Sequence, residues 1–165
     1  MRILGVDPGL RTTGYGLISV ADKNPWDCRI DLVEAGVIRT ATGGEVAGRL
    51  KKIYGGLSEL VTEHDPDLIV IEKLYAHYQH PTTAILMGHA RGVVCLLSGM
   101  HGVKLASIAS THVKKAVVGN GHAGKSQVQR AVQAILGLRS MPEPEDAADA
   151  LAIAIAYLPL LRRKI

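Results

Sequence analysis

The sequence predicts a mixed α/β fold, one domain over residues 1–165 with helices on both faces of a sheet. Three observations lead there. Two runs, ILGVD and LIVIE, are apolar almost without a break, the pattern of central strands buried on both faces. Strand-like segments dominate the first half, and helical periodicity is interleaved later. No repeat, low-complexity tract or linker divides the chain, whose 165 residues suit a single core.

Taken in order, Arg2–Asp7 is a strand stopped by Pro8-Gly9. Thr12–Val20 and Arg29–Thr40 follow as strands, separated by the turn-rich ADKNPWD. Gly14, Gly16 and Gly36 inside them signal close backbone approach or bulges. Leu50, Ile53, Leu57 and Leu60 recur at helical spacing and predict a helix over Val46–Glu63. DPDLIVIE returns to strand and ends at Glu72. After the polar KLYAHYQHP a helix runs from Thr82 to Ser98, where Ala84, Gly88 and Gly92 make a row that admits another helix. Val103–Ile108 is a short strand. Helices close the chain over Ser110–Val118, Lys125–Leu136 and Asp146–Leu160.

Composition bounds the function. Hydrophobic residues make up 47% and charged residues 21%, as in a globular domain, and with no Phe the core must be aliphatic. Lys and Arg exceed Asp and Glu by 19 to 15, a mild basic excess compatible with nucleic acid. Setting four acids aside in a metal site leaves the rest of the surface considerably more basic. Cys28 and Cys95 have neither metal-ligand spacing nor a disulfide framework, which points to a reducing, cytoplasmic setting. The chain enters a strand-like run at Arg2, so no signal peptide is expected, and no membrane span is expected either.

The acids carry the chemistry. In EDAADALAIAIAYL, Asp146 and Asp149 share one helix face at i and i+3. Asp146 suits the positive end of the helix dipole, and two capping acids are the ordinary reading of that stretch alone. Asp149 is harder to place, because a carboxylate at the edge of a buried helix needs a pairing partner, hydrogen bonds or a cation. The strands ILGVD and LIVIE each end in an acid, Asp7 and Glu72. Ligands gather at the carboxyl ends of strands in open α/β sheets. If those strands are parallel neighbours and the last helix starts at the same rim, four carboxylates meet. Two unit charges about 4 Å apart repel by about 4 kcal/mol at an effective dielectric near 20. Protons or divalent cations must then neutralise them. An oxygen-only set favours Mg²⁺ or Mn²⁺ over zinc. Two such ions about 3.5–4 Å apart suit phosphodiester hydrolysis.

DPGLRTTGYG, IEKLY, THVKKAVVGNGHAGKSQV and DAADALAIAI together resemble the RuvC family of Holliday-junction resolvases, in that family's order and spacing, from Arg2 to about Tyr157. The resemblance implies an RNase H-like fold, a five-stranded mixed sheet flanked by helices on both faces. It implies a homodimer that makes paired symmetric nicks in four-way DNA junctions in recombination and repair, leaving 5′-phosphate and 3′-hydroxyl ends. By matching motif positions, Asp7, Glu72, Asp146 and Asp149 are the catalytic residues and ligands of two Mg²⁺ ions, with Mn²⁺ as an alternative and Asp7 bridging by analogy. It further implies docking to a RuvAB-type branch-migration complex.

The same resemblance marks Lys114 and Lys125 as contacts to the DNA backbone and Tyr75 as an aromatic that stacks in the junction's centre. An aromatic so placed contributes about 1–3 kcal/mol by stacking on a base. His77, Tyr78 and His80 depart from the family's pattern in that loop. GNGHAGKS, Gly119–Ser126, also fits a P-loop, which requires a strand before it; STHVKKAVV reads as a helix instead. Its glycines still open into a helix start, a ready phosphate site. Two rival enzymes share features: another RNase H-like nuclease acting on RNA or RNA–DNA hybrids, and actin-like ATPases, whose phosphate loop DPG-x₄-GYG resembles but whose two domains need a longer chain. A junction-binding module without catalysis is a third alternative, which the complete carboxylate set opposes.

Overall fold

A computed structural model of the chain describes residues 1–21, 29–41, 43–74 and 81–162. Strands β1 (Arg2–Asp7), β2 (Thr12–Val20) and β3 (Ile30–Arg39) precede helix α1 (Val46–His64). Strand β4 (Leu68–Glu72), α2 (Pro81–His101) and β5 (Lys104–Ile108) follow, then α3 (Ser110–Val118), α4 (Lys125–Leu136) and α5 (Glu145–Arg162). The sheet runs β3-β2-β1-β4-β5. β1 pairs antiparallel with β2 and parallel with β4, so the two apolar runs lie side by side at the centre, Val6 opposite Ile71. This is the five-stranded mixed sheet that the resemblance implied.

Strand alternation sorts the core into two faces. Leu4, Val6, Leu17, Ile69 and Ile71 point to the face covered by α1 and α2, against Ile53, Leu57, Val94 and Leu97. Ile3, Ile18, Leu68 and Val70 point to the other face, against Leu151 and Ile153 of α5 and Val128 and Val132 of α4. Asp7 and Glu72 follow the parity of this second set.

The glycines explain how α5 lies on that face. A Cβ at Gly5 would stand 2.1 Å from the carbonyl oxygen of Ala150, and one at Gly14 would stand 2.0 Å from that of Asp146. At Gly16 it would meet the Leu151 side chain at 2.7 Å. Three glycines on two adjacent strands thus form a floor on which the Ala-rich helix rests almost backbone to backbone. Gly36 serves a different end, since a Cβ there would collide with the Tyr15 hydroxyl at 2.7 Å. That hydroxyl donates to Glu34 Oε1 at 2.9 Å, and the other Glu34 oxygen lies 2.8 Å from His64 Nε2, tying the end of α1 to the edge strand. Burial and the neighbouring Glu34 push the Tyr15 phenol up to about 12.

Among the described residues one helix, Thr82–His101, is long and apolar enough to cross a bilayer, with mean hydropathy 1.3. That match is by length and composition alone: His89 and Arg91 interrupt the apolar run, and the helix continues to His101 where Ser98 was predicted. Its inner side, Ala90, Val94 and Leu97, is buried on the sheet, whereas Ile85, Leu96 and Met100 are 61%, 57% and 64% exposed. Nothing lies within 4 Å of where a Cβ at Gly88 or Gly92 would sit. The small-residue row therefore has no partner among the described residues.

Candidate active site

Asp7 ends β1 and Glu72 ends the neighbouring parallel strand β4. Both stand at the carboxyl rim, on the face that α5 covers. Gly14 is the β2 partner of Asp7, and the Asp146 backbone rests directly upon Gly14. The head of α5 is thereby set beside Asp7, and Asp149 follows on the same helix face. All four acids predicted from sequence meet at one rim.

Their electrostatics show the crowding. Burial first, then the charges of Asp149, Glu72 and Asp146, push the Asp7 carboxyl from 3.8 up to about 7, against a smaller opposing pull from Lys125. Burial raises Glu72 as well, opposed by the Ser110 hydroxyl and Lys114. Asp149 is raised by burial and drawn down by Lys125. In return Asp149, followed by Glu145, raises Lys125. The Lys125 ammonium lies 3.6 Å from Glu145 Oε2 and 3.7 Å from Asp149 Oδ2.

A cavity of about 180 Å³ opens on this rim, lined by Glu72, Ser110, Lys114, Lys125 and Asp149 among others. Both lysines named from sequence line this cavity. Lys114 comes from α3, and Lys125 from the first turn of α4, where Gly124 is the N-cap. The segment before the glycine loop is helix α3, not a strand, which removes the P-loop alternative. Tyr75, with His77, Tyr78 and His80, lies outside the described residues.

The donor set fits hard divalent ions. Four carboxylates contribute only oxygen ligands, and the half-buried Asp7 is pushed up to about 7 first by burial and then by three neighbouring acids, a cluster that divalent cations would neutralise. Among the described residues no three His, Cys, Asp or Glu side chains are closed into a ready ion cage. The acids form a rim onto which ions would draw them together.

Three residues at the rim escaped the sequence reading. Ser110 opens α3 and faces Glu72, Glu145 faces Lys125, and Arg91 of α2 donates to the Glu72 carbonyl. A cation inside an otherwise apolar helix was the available signal for Arg91. Ser110 and Glu145 carried none, since both look like ordinary helix-start residues.

Comparison with known proteins identifies the family and the fold. The family described as "Crossover junction endodeoxyribonuclease RuvC" matches residues 3–157. A relative of that name from Rhodopirellula baltica (strain DSM 10527 / NCIMB 13988 / SH1) is 50% identical over 153 residues, covering 93% of this chain and 83% of its own. The solved Thermus thermophilus RuvC structure superposes with TM-score 0.88 at 30% identity, covering 99% of this chain and 97% of that one. T. thermophilus RuvC in complex with Holliday junction substrate gives TM-score 0.86 at 26% identity, with coverage of 99% and 96%. With a match along nearly its whole length, this chain belongs to the RuvC family of crossover junction endodeoxyribonucleases.

Proposed function

We propose that this chain, as one domain over residues 1–165, is a structure-selective endonuclease that resolves four-way (Holliday) DNA junctions by paired symmetric nicks during recombination and repair. The observation that carries the reading is the seating of the α5 head on Gly14, which brings Asp146 and Asp149 to the strand ends bearing Asp7 and Glu72. These four carboxylates would hold two Mg²⁺ ions, or Mn²⁺. Bound there, divalent ions supply a nucleophile at neutral pH and stabilise the leaving oxygen of phosphodiester hydrolysis.

The chain's own residues do the rest. Asp7, raised to about 7 by burial and by Asp149, Glu72 and Asp146, would be held deprotonated by cations bound at the rim. Lys125, paired with Glu145 and Asp149, and Lys114 across the same cavity offer two ammonium groups to DNA phosphates. Such contacts position the substrate and carry little sequence information. Tyr75, three residues beyond Glu72, is assigned to stacking in the opened junction on the resemblance alone.

The outward face of α2, with Ile85, Leu96 and Met100 exposed around the open Gly88 and Gly92, supports a homodimer through this helix. Two dyad-related sites suit two equivalent strands of a four-way junction. We assign that exposed apolar face to a second copy and not to a bilayer, and place the protein in the cytoplasm, working with a RuvAB-type branch-migration complex. A synthetic four-way junction and its linear duplex, each incubated with Mg²⁺ and either wild type or Asp7→Asn, test the reading. Symmetric 5′-phosphate, 3′-hydroxyl nicks on the junction alone, absent with the variant, are expected. Equal cutting of linear duplex or of an RNA–DNA hybrid would overturn it.

A further inference from the structure

The acids belong to one face of the sheet, but one of them is gripped from the other. Arg91 projects from α2 towards the carboxyl rim, where one guanidinium nitrogen donates to the backbone carbonyl of Glu72 and the other to Ser107 Oγ at 2.8 Å. Glu72 is the last residue of β4 and bears its carboxylate on the α5 side. The β1–β4 ladder stops one pair earlier, at Val6–Ile71, and Pro8 has no N–H with which to extend it. A partly buried carbonyl left without a ladder partner needs a donor, and a charged one makes the stronger bond. On β5, Ser107 pairs with Ile71, and its side chain shares the α2 face with Leu105. The guanidinium therefore staples β4 to β5 at the point where the chain leaves the sheet.

Three features make this more than a surface contact. Arg91 is half-buried, between the buried Ala90 and the inner row of Val94 and Leu97. It has no carboxylate partner among the described residues within salt-bridge distance, so its charge is spent on the Glu72 carbonyl and the Ser107 hydroxyl. The open Gly88 and Gly92 and the exposed Leu96 lie on the adjoining outer side of the same helix. On the β5 side Glu72 pairs with Ile108 and the Lys73 N–H donates to the Ile108 carbonyl at 2.8 Å; on the β1 side no pair follows Val6–Ile71, and there Arg91 supplies the hold.

We propose that Arg91 is a positioning residue for the metal site: by clamping the Glu72 carbonyl and Ser107 from the back of the sheet, it fixes the direction in which the Glu72 carboxylate meets divalent ions, and it links that ligand to helix α2. The inference rests on the reading of Glu72 as a metal ligand. Partners that orient a ligand commonly matter 10–100-fold for metal affinity.

The test uses the full chain as wild type, Arg91→Ala, Arg91→Lys and Ser107→Ala. Calorimetric titration with Ca²⁺ measures ion binding, a Mg²⁺ series on four-way junction cleavage measures half-saturation, and melting in chelator measures stability. Arg91→Ala is expected to weaken Ca²⁺ binding and raise the Mg²⁺ half-saturation by about 10-fold or more, with junction binding in chelator unchanged. Arg91→Lys, which can still reach one of the two acceptors, recovers a large part of that loss, and Ser107→Ala shows a smaller shift in the same direction. A folded Arg91→Ala protein with wild-type ion binding and half-saturation overturns the proposal. Should Arg91→Ala not fold, wild-type half-saturation in both Arg91→Lys and Ser107→Ala overturns it instead. Failure of the wild type itself to bind Ca²⁺ or cut the junction removes the underlying site assignment, a different outcome from a clamp without effect.

Discussion

The two faces of the sheet are covered by opposite means. On one, α5 rests on Gly5, Gly14 and Gly16, and the contact is largely main chain against main chain. On the other, α1 and α2 stand off on interlocking Leu, Ile and Val side chains. Bulky side chains can change rotamer and relax around a disturbance, whereas main-chain contact has little slack. The four acids all belong to the face with little slack. A site made of charges that repel one another needs a mounting that does not yield, and the glycine floor is that mounting.

The largest effect is expected from a side chain placed on the floor. Gly14→Val puts its Cβ into the Asp146 carbonyl, and we expect loss of the fold or a destabilisation above about 4 kcal/mol by chemical denaturation. A Gly14→Val protein with a wild-type melting curve would end the argument. On the opposite face, Leu57→Ala in α1, away from the Arg91 contact, should cost about 2–5 kcal/mol, with cleavage per folded molecule unchanged because no described rim residue leans on α1. Coupled loss of junction cleavage in folded Leu57→Ala would show that the aliphatic layer under α1 also sets the rim.

The crowding itself destabilises the metal-free protein as the pH rises. The Asp7 carboxyl is raised from 3.8 to about 7 on folding. A raised acid contributes stability below its unfolded value, and that contribution is lost as the pH climbs through about 7. In chelator, melting temperature should therefore fall between about pH 4 and pH 7, and Mg²⁺ should restore it at the alkaline end. Asp7→Asn should flatten this dependence and melt higher at pH 8 in chelator, by about 2 kcal/mol or roughly 4–8 °C, while abolishing cleavage. A pH-independent melting temperature in the metal-free wild type would contradict a raised Asp7 carboxyl. The smallest effect is expected at Gly55 in α1, where a Cβ meets nothing within 4 Å. Gly55→Ala should stabilise by at most about 1 kcal/mol, measurable as a small rise in denaturation midpoint.

Much of this arrangement could be read from local sequence. The unbroken apolar runs of β1 and β4 announced central strands, and their terminal acids announced a rim. Glycines inside β2 announced close approach, although Gly36 proved to accommodate the Tyr15 ring where backbone approach or a bulge was expected. Element ends shifted by one to three residues, as at α2, which runs to His101 where Ser98 was expected. Arg91 and Ser110 were harder to see. Their roles depend on which strand end lies opposite a helix, and that is decided by packing of segments far apart in the chain. Gly5 was passed over for a similar reason: inside a short apolar strand it looks like a minor residue until the partner above it is known.

The floor beneath α5 has one more consequence. Where two main chains touch, their separation is set by the thickness of the peptide group, which no choice of rotamer can adjust. The spacing between the Asp7 backbone and that of Asp146 works as a gauge block, insensitive to how the aliphatic layer on the far side is filled. Changes in that layer can alter how long the protein survives while leaving the reach between Asp7 and Asp146 untouched.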